Sequence, residues 1–160
     1  VEDTQAKQRD LWKDLILRYC QHHRLFILTT NQQNPVTQHL FHNTSINRKL
    51  NDHAIQLFLD DLVKQGHAVW LDKSRFKCLV LWKKIPEWAD TLYKHAVDKG
   101  LLDTVATVEE LVGGDDEQGG ELDGLDREVL WRAVKELEKR GRAKLIIDKS
   151  SNELAGIKFA

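Results

Sequence analysis

Leu11, Trp12, Leu15, Ile16, Tyr19 and Cys20 recur at one- and four-residue steps. That spacing lays one apolar stripe along a helix from about Thr4 to His23, with Thr4 as its N-cap. Leu25 to Thr30 is short, apolar and suited to a strand, and Asn31 to Pro35 reads as a turn or loop. A short helical piece is expected around Ser45 to Leu50. Asp52 then opens a helix with Ile55, Phe58, Leu59 and Leu62 on one face, and Gly66 closes it. Val69 to Leu71 and Lys77 to Trp82 form two strands joined by the turn Asp72-Lys73-Ser74-Arg75. Pro86 ends this unit and starts the next helix, where a missing N–H costs nothing.

The same order of elements follows a second time. Trp88, Leu92, Ala96 and Val97 make a helical stripe ending at Gly100; Val105 to Val108 is strand-like, and Glu109 to Leu111 suggests a short helix. After a glycine-rich acidic stretch, Asp126 caps a helix carrying Val129, Leu130, Ala133, Val134 and Leu137, which Gly141 closes. Lys144 to Ile147 and Gly156 to Phe159 complete a hairpin. A shift of 75 residues carries Leu50 onto Leu125, Ile55 onto Leu130, Leu59 onto Val134, Leu62 onto Leu137, Gly66 onto Gly141 and Ala68 onto Ala143. One inserted residue then aligns Asp72-Lys73-Ser74 with Asp148-Lys149-Ser150. Helix, strand, helix, helix, two-stranded wing is the winged-helix order. The expected fold is therefore α+β, with two tandem winged-helix domains over residues 1–85 and 86–160, each near the smallest size that sustains its own core.

Composition narrows the function. With 41% hydrophobic and 31% charged residues the 160-residue chain reads as globular, and no apolar run approaches the ~18 residues of a membrane span. Val1 to Asp10 is charged and polar and does not read as a secretory signal. Cys20 and Cys78, far apart and each in an apolar stretch, read as two buried thiols of a reduced, intracellular protein. The net charge of −1 is split unevenly: residues 1–85 hold 13 Lys/Arg against 8 Asp/Glu, or +5, and residues 86–160 hold 11 against 17, or −6. Two halves so unlike suit two different partners.

Candidate chemistry is sparse. Of the seven histidines only His39 and His42 could share a helical face, and no cysteine or carboxylate pattern completes a metal site. No serine or cysteine sits in a glycine-flanked elbow, so neither catalysis nor a cofactor is expected. The stretch Gly113 to Glu121 lacks the lysine of a phosphate cradle. As a calcium loop starting at Asp115 it places Gly120 sixth, but Gly119 stands where the fifth-position oxygen ligand is needed. A solvated loop is the better reading. DNA binding, common among winged helices, is the alternative function. The Asp52 to Gln65 helix offers only Lys64 against Asp60 and Asp61. Between Asp126 and Arg140, five cations face four carboxylates, so neither helix presents an uncompensated positive face. Arg75, Lys77, Lys83 and Lys84 along the first wing are the best cations for that role. Five tryptophans exceed what two small cores easily hide. Trp82 and Trp88, flanking Pro86, are expected to pack at the domain junction, and Trp131 is the best candidate for a partner-facing aromatic.

Several strings carry a family resemblance. They are Trp70-Leu71-Asp72-Lys73-Ser74, Trp82-Lys83-Lys84-Ile85-Pro86-Glu87-Trp88, Gly124-Leu125-Asp126 with Leu130 and Ala133, Leu40-Phe41-His42-Asn43, and Gly156-Ile157-Lys158-Phe159. In order and spacing, over nearly the whole chain, these resemble the vacuolar protein-sorting-associated protein 25 family, the small tandem winged-helix subunit of the ESCRT-II complex. The resemblance implies a non-enzymatic adaptor in multivesicular body sorting, cytoplasmic and recruited to endosomal membranes, meeting the membrane only through the complex. It implies that the first winged helix attaches to two larger winged-helix subunits, and that two copies of the small subunit enter each complex. The second winged helix would recruit the first helix of an ESCRT-III subunit of the charged multivesicular body protein 6 type and start its assembly. Lys83 and Lys84 match the family's basic residues tied to core contact, although both are Lys here where a planar guanidinium would pair bidentately. The ESCRT-III face is expected on the exposed side of the Asp126 to Arg140 helix and the adjoining wing, at Trp131, Arg132, Lys135 and Lys139. The family also carries an aromatic, proline-rich N-terminal stretch with a PPxY-like motif that plugs into the larger subunits. This chain opens on Val1, downstream of it, and a leading segment removed or left out is expected to weaken core attachment.

Overall fold

In the computed structural model, which describes residues 2–30, 40–43, 48–49, 52–113 and 120–160, the first apolar stripe folds as helix α1 (Glu2–His23). Ile16 and Cys20 are its buried residues, while Leu11 and Leu15 remain exposed on the outer face. Thr4 is not a cap: the chain is already helical at Glu2, a shift within the ordinary uncertainty of helix ends. Strand β1 (Ile27–Thr29) follows, and Leu40 and Phe41 are helical and buried. The helical piece expected around Ser45 to Leu50 meets a different structure where it is described. Strand β2 (His42–Asn43) pairs antiparallel with β3 (Arg48–Lys49), so two of those residues are extended and engaged in a short ladder. Residues 31–39, 44–47, 50, 51 and 114–119 lie outside the described residues, and with them the Asn31 to Pro35 turn, His39 and the first five residues of the calcium-loop candidate.

Helix α2 (Asp52–Lys64) buries Ile55, Leu59 and Leu62, and it packs on both α1 and β4 (Ala68–Trp70). Strand β5 (Lys77–Val80) lies between β4 and β1 in a three-stranded antiparallel sheet of order β1-β5-β4. Trp12 stacks on Phe58 at 6.0 Å, closing the core formed by Ile16, Cys20, Leu28, Phe41, Leu59 and Val80. The second unit rebuilds this plan. It comprises α3 (Ile85–Asp98), β6 (Val105–Thr107), α4 (Val108–Val112), α5 (Arg127–Lys139), β7 (Ala143–Ile147) and β8 (Leu154–Phe159), with sheet order β6-β8-β7. Compact units run over Val1–Trp82 and Lys83–Ala160, so the division falls just before the 85/86 boundary placed at Pro86. Trp82 packs on Phe26 at 4.5 Å within the first unit, and Trp88 is buried within the second.

The glycine stops work alike in both halves. Gly66 (φ 84°) and Gly141 (φ 75°) take left-handed conformations that allow the next amide to reach back. His67 donates to the carbonyl of Leu62 at 2.9 Å and Arg142 to that of Leu137 at 2.8 Å, closing each helix as a Schellman turn.

Each wing turn is organised by one carboxylate at the aligned position. Asp72 Oδ1 accepts from the amides of Phe76 (2.8 Å) and Lys77 (3.2 Å), and Oδ2 accepts from the Ser74 hydroxyl (3.0 Å). Desolvation pushes the Asp72 carboxyl upward, but those hydrogen bonds and the Lys77 charge outweigh it and hold it below the ordinary value. Asp148 accepts from the Ser150 hydroxyl (2.6 Å) and amide (2.9 Å), and that pair lowers its carboxyl likewise. Because both carboxyls are depressed in the fold, they contribute stability above the unfolded-chain value of about 3.9 and lose it as pH falls through their lower folded values. Urea midpoints of an Asp72→Asn, Asp148→Asn variant should therefore decline less below about pH 4 than those of the parent chain.

Candidate protein-docking site

Helix α5 spends one face on the core and leaves the other toward solvent. Val129, Leu130, Ala133, Val134 and Leu137 are buried, and the Asp126 side chain accepts from the Glu128 amide at 2.8 Å to cap the helix. On the other side Arg127, Trp131, Lys135 and Lys139 follow at four-residue steps. Trp131 is half-buried, and the Lys135 ammonium stands 5.1 Å from its ring centroid, a cation–π contact at the surface. Arg132 is turned to Glu128 (Nε to Oε1, 2.9 Å), and Lys139 is exposed. The four predicted contact residues thus share roughly a third of the helix circumference, with Lys135 over the Trp131 ring.

Beside Trp131 opens a groove of about 340 Å³. Val108, Leu130, Trp131 and Leu154 supply its apolar lining, and Arg127, Glu128, Asn152 and Glu153 its polar rim. Val108 is held there by a capping box at the start of α4. The Glu110 amide donates to Thr107 Oγ1 at 3.1 Å, and the Thr107 amide donates back to the Glu110 carboxylate at 3.4 Å. The far wall is the tip of the second wing, where Asn152 takes φ 58°. Sequence reasoning missed Val108, Asn152, Glu153 and Leu154. The Thr107-to-Glu110 spacing was a usable signal for the first; the others depend on how far the wing folds back.

In the first unit the corresponding faces of helix and wing are tied together. Asp60 on α2 accepts from Trp70 Nε1 at 2.8 Å and forms an ion pair with Arg75, whose guanidinium lies 5.4 Å from the Trp70 ring centroid. Asp61 takes both Arg9 nitrogens at 2.9 Å. The 75-residue shift carries Asp60 onto Lys135 and Trp70 onto Leu145, so the second copy lacks this latch.

Lys83 and Lys84 differ from one another. Lys83 Nζ donates to Thr91 Oγ1 (3.0 Å) and Glu121 (2.5 Å) and stands 5.2 Å from the Trp88 ring centroid. Lys84, the N-cap residue of α3, is exposed. Guanidiniums elsewhere are also neutralised: Arg140 reaches Asp90 at 2.6 Å and Glu136 at 3.3 Å, and Arg127 reaches Glu109 at 3.4 Å. A duplex-reading helix would present such groups to phosphates instead. Cys20 and Cys78 are both buried. Burial pushes each thiol up to about 12, with Cys78 adding to the effect at Cys20, so neither is an activated nucleophile. Among the described residues no group of three or more His, Cys, Asp or Glu could hold a metal, and no helix is long and apolar enough to cross a membrane.

Fold and groove together define a tandem winged-helix protein with an open groove on its second copy. The fold is that of the crystal structure of subunit VPS25 of the endosomal trafficking complex ESCRT-II. TM-score is 0.85 at 24% identity, over 100% of this chain and 90% of that one. A family model described as ESCRT-II complex subunit matches residues 1–126. The vacuolar protein sorting-associated protein 25 of Arabidopsis thaliana is 42% identical over 100% of this chain and 87% of its own length. The Dictyostelium discoideum protein of that name is 36% identical over 99% and 87%, and the Homo sapiens one 34% over 98% and 86%. The chain belongs to the vacuolar protein sorting-associated protein 25 family of ESCRT-II complex subunits.

The latch predicts an asymmetry in stability. Asp60→Ala leaves the Trp70 N–H and the Arg75 charge without their acceptor and should cost about 1–3 kcal/mol in urea unfolding. Lys135→Ala, on an exposed face, should stay within about 0.5 kcal/mol.

Proposed function

We propose that this chain is a non-enzymatic adaptor of ESCRT-II in multivesicular body sorting, with a separate task for each winged helix. The first attaches to the larger subunits, and the second recruits an ESCRT-III subunit of the charged multivesicular body protein 6 type and starts its assembly. The protein works in the cytoplasm and is carried to endosomal membranes by the complex. Family membership supports the first task, because a solved ESCRT-II complex is described as containing VPS22, VPS25 and VPS36. Lys83 and Lys84, the first residues of the second unit and so immediately after the first winged helix in the chain, are the proposed contact to that core, with Lys84 exposed and Lys83 fixed by Glu121 and Thr91.

The observation that carries the second task is the groove between α5 and the second wing. Its apolar lining suits the nonpolar face of a partner helix. Trp131 is the anchor, a large ring partly desolvated and braced by Lys135. Arg132 and Lys139 extend a cationic margin along the helix, suited to carboxylates on the partner. The latch at Asp60 argues against the first unit as a second receptor, since it occupies the matching helix and wing faces.

Replacing Trp131, Arg132 and Lys135 together by alanine should weaken binding of a synthetic ESCRT-III first-helix peptide by about 30-fold or more in calorimetry, while circular dichroism stays unchanged. Undiminished affinity would move the site elsewhere. Lys83→Glu with Lys84→Glu should reduce capture by the larger subunits and leave the peptide affinity intact; loss of both would contradict the division of tasks.

A further inference from the structure

The outer face of the second unit's sheet carries an arrangement that neither task uses. Lys144 on β7 is the direct cross-strand partner of Lys158 on β8, and Lys158 is in turn opposite Val105 on β6. Lys144, Lys158 and Val105 are exposed, whereas Ala143, Phe159, Ile157 and Ala106 on the other face are buried. Side chains directly opposite in an antiparallel pair stand about 5 Å apart at Cβ, and like charges so placed cost stability. Neither ammonium forms an ion pair among the described residues. Arg142 continues the row, about 7 Å back along the strand. Its guanidinium stands 5.6 Å from the Tyr93 ring centroid, in a groove it lines with Lys94, Arg140 and Asp90, the last two paired with one another. Two apolar side chains are exposed beside the two lysines: Val105 at 55% exposure, opposite Lys158, and Ile146 at 37%, two residues from Lys144 on the same face.

This patch sits on a half-chain whose net charge is −6. A negatively charged surface would be repelled by the acidic parts of that half and attracted by this face, because fields beyond about 8 Å are screened at physiological salt. Lys144 and Lys158 stand side by side on β7 and β8, with the exposed apolar tips of Val105 and Ile146 beside them. A headgroup layer accommodates both features at once, taking the charges at its surface and the aliphatic tips at its edge. From this juxtaposition we infer that the outer face of β6-β8-β7 is a contact surface for an anionic lipid bilayer. It adds a direct contact to the recruitment through the complex proposed above, and it does not involve the α5 groove.

The test is co-sedimentation of the full chain with vesicles of phosphatidylcholine and phosphatidylserine, against vesicles of phosphatidylcholine alone. Partition should favour the anionic vesicles and fall with added salt. Each lysine removed should lower it about fivefold, so Lys144→Gln with Lys158→Gln should lower it about 25-fold. The thermal midpoint of that variant should be unchanged or higher, since a like-charge pair is relieved, which separates lost binding from lost folding. Trp131→Ala should partition like the parent, so failure of the groove reading would leave this result standing. Equal partition to neutral vesicles, or an undiminished double variant, would overturn the inference. So would binding to a soluble polyglutamate without binding to vesicles, which would make the face a site for an acidic protein.

Discussion

Each half of this chain has about 80 residues with which to cover one amphipathic helix, and the burial of that helix against a three-stranded sheet governs everything else. Helix α2 commits Ile55, Leu59 and Leu62 to the task, and α5 commits Val129, Leu130, Ala133, Val134 and Leu137. At this size little apolar surface is left over after the core is filled. Binding must therefore use what the core cannot reach: the second face of the helix and the wing behind it. A protein with such small cores gains little from a deep active-site cavity and much from shallow faces.

The two copies spend the same geometry differently. In the first, a carboxylate on the helix draws the wing in through an indole and a guanidinium, so side chains that could meet a partner satisfy one another instead. In the second, the aligned position is Lys135, whose charge rests over Trp131 on the same helix, and the side-chain latch is replaced by a hydrogen bond from the Leu145 amide to the Glu138 carboxylate at 3.3 Å. Arginines in the second copy are mostly held by carboxylates at 2.6 to 3.4 Å, while several lysines stay unpaired. The fixed planar groups thus brace the fold, and the flexible ammoniums remain for contacts made outside it.

What the sequence revealed was local. Apolar stripes at four-residue steps, the glycines at 66 and 141, Pro86 at a helix start and the Asp72 and Asp148 turns all act within a few residues of themselves. What it hid was nonlocal. The Asp60 latch joins residues 10 and 15 apart, and Arg9 meets Asp61 across 52 positions, distances over which no periodicity speaks. The helical piece expected around Ser45 to Leu50 fails at Arg48 and Lys49 for a related reason: a two-residue ladder has no period to detect. At the site, Trp131 was legible as an aromatic beside a full apolar stripe. Its neighbours Asn152, Glu153 and Leu154 were not, because only the folded hairpin brings them to it.

The second wing itself repays attention. Between the paired residues Ala68 and Val80 the first hairpin is short; between Ala143 and Phe159 the second is longer, with a register shift after Ile146. That added length brings Asn152, Glu153 and Leu154 to the groove. Hairpin loops accept inserted residues at small entropic cost, and the helix-on-sheet core is untouched by them. A repeated fold of this kind can therefore acquire or lose a receptor by insertion and deletion at one loop tip. Its evolution would be recorded in hairpin length before it was recorded in the interior.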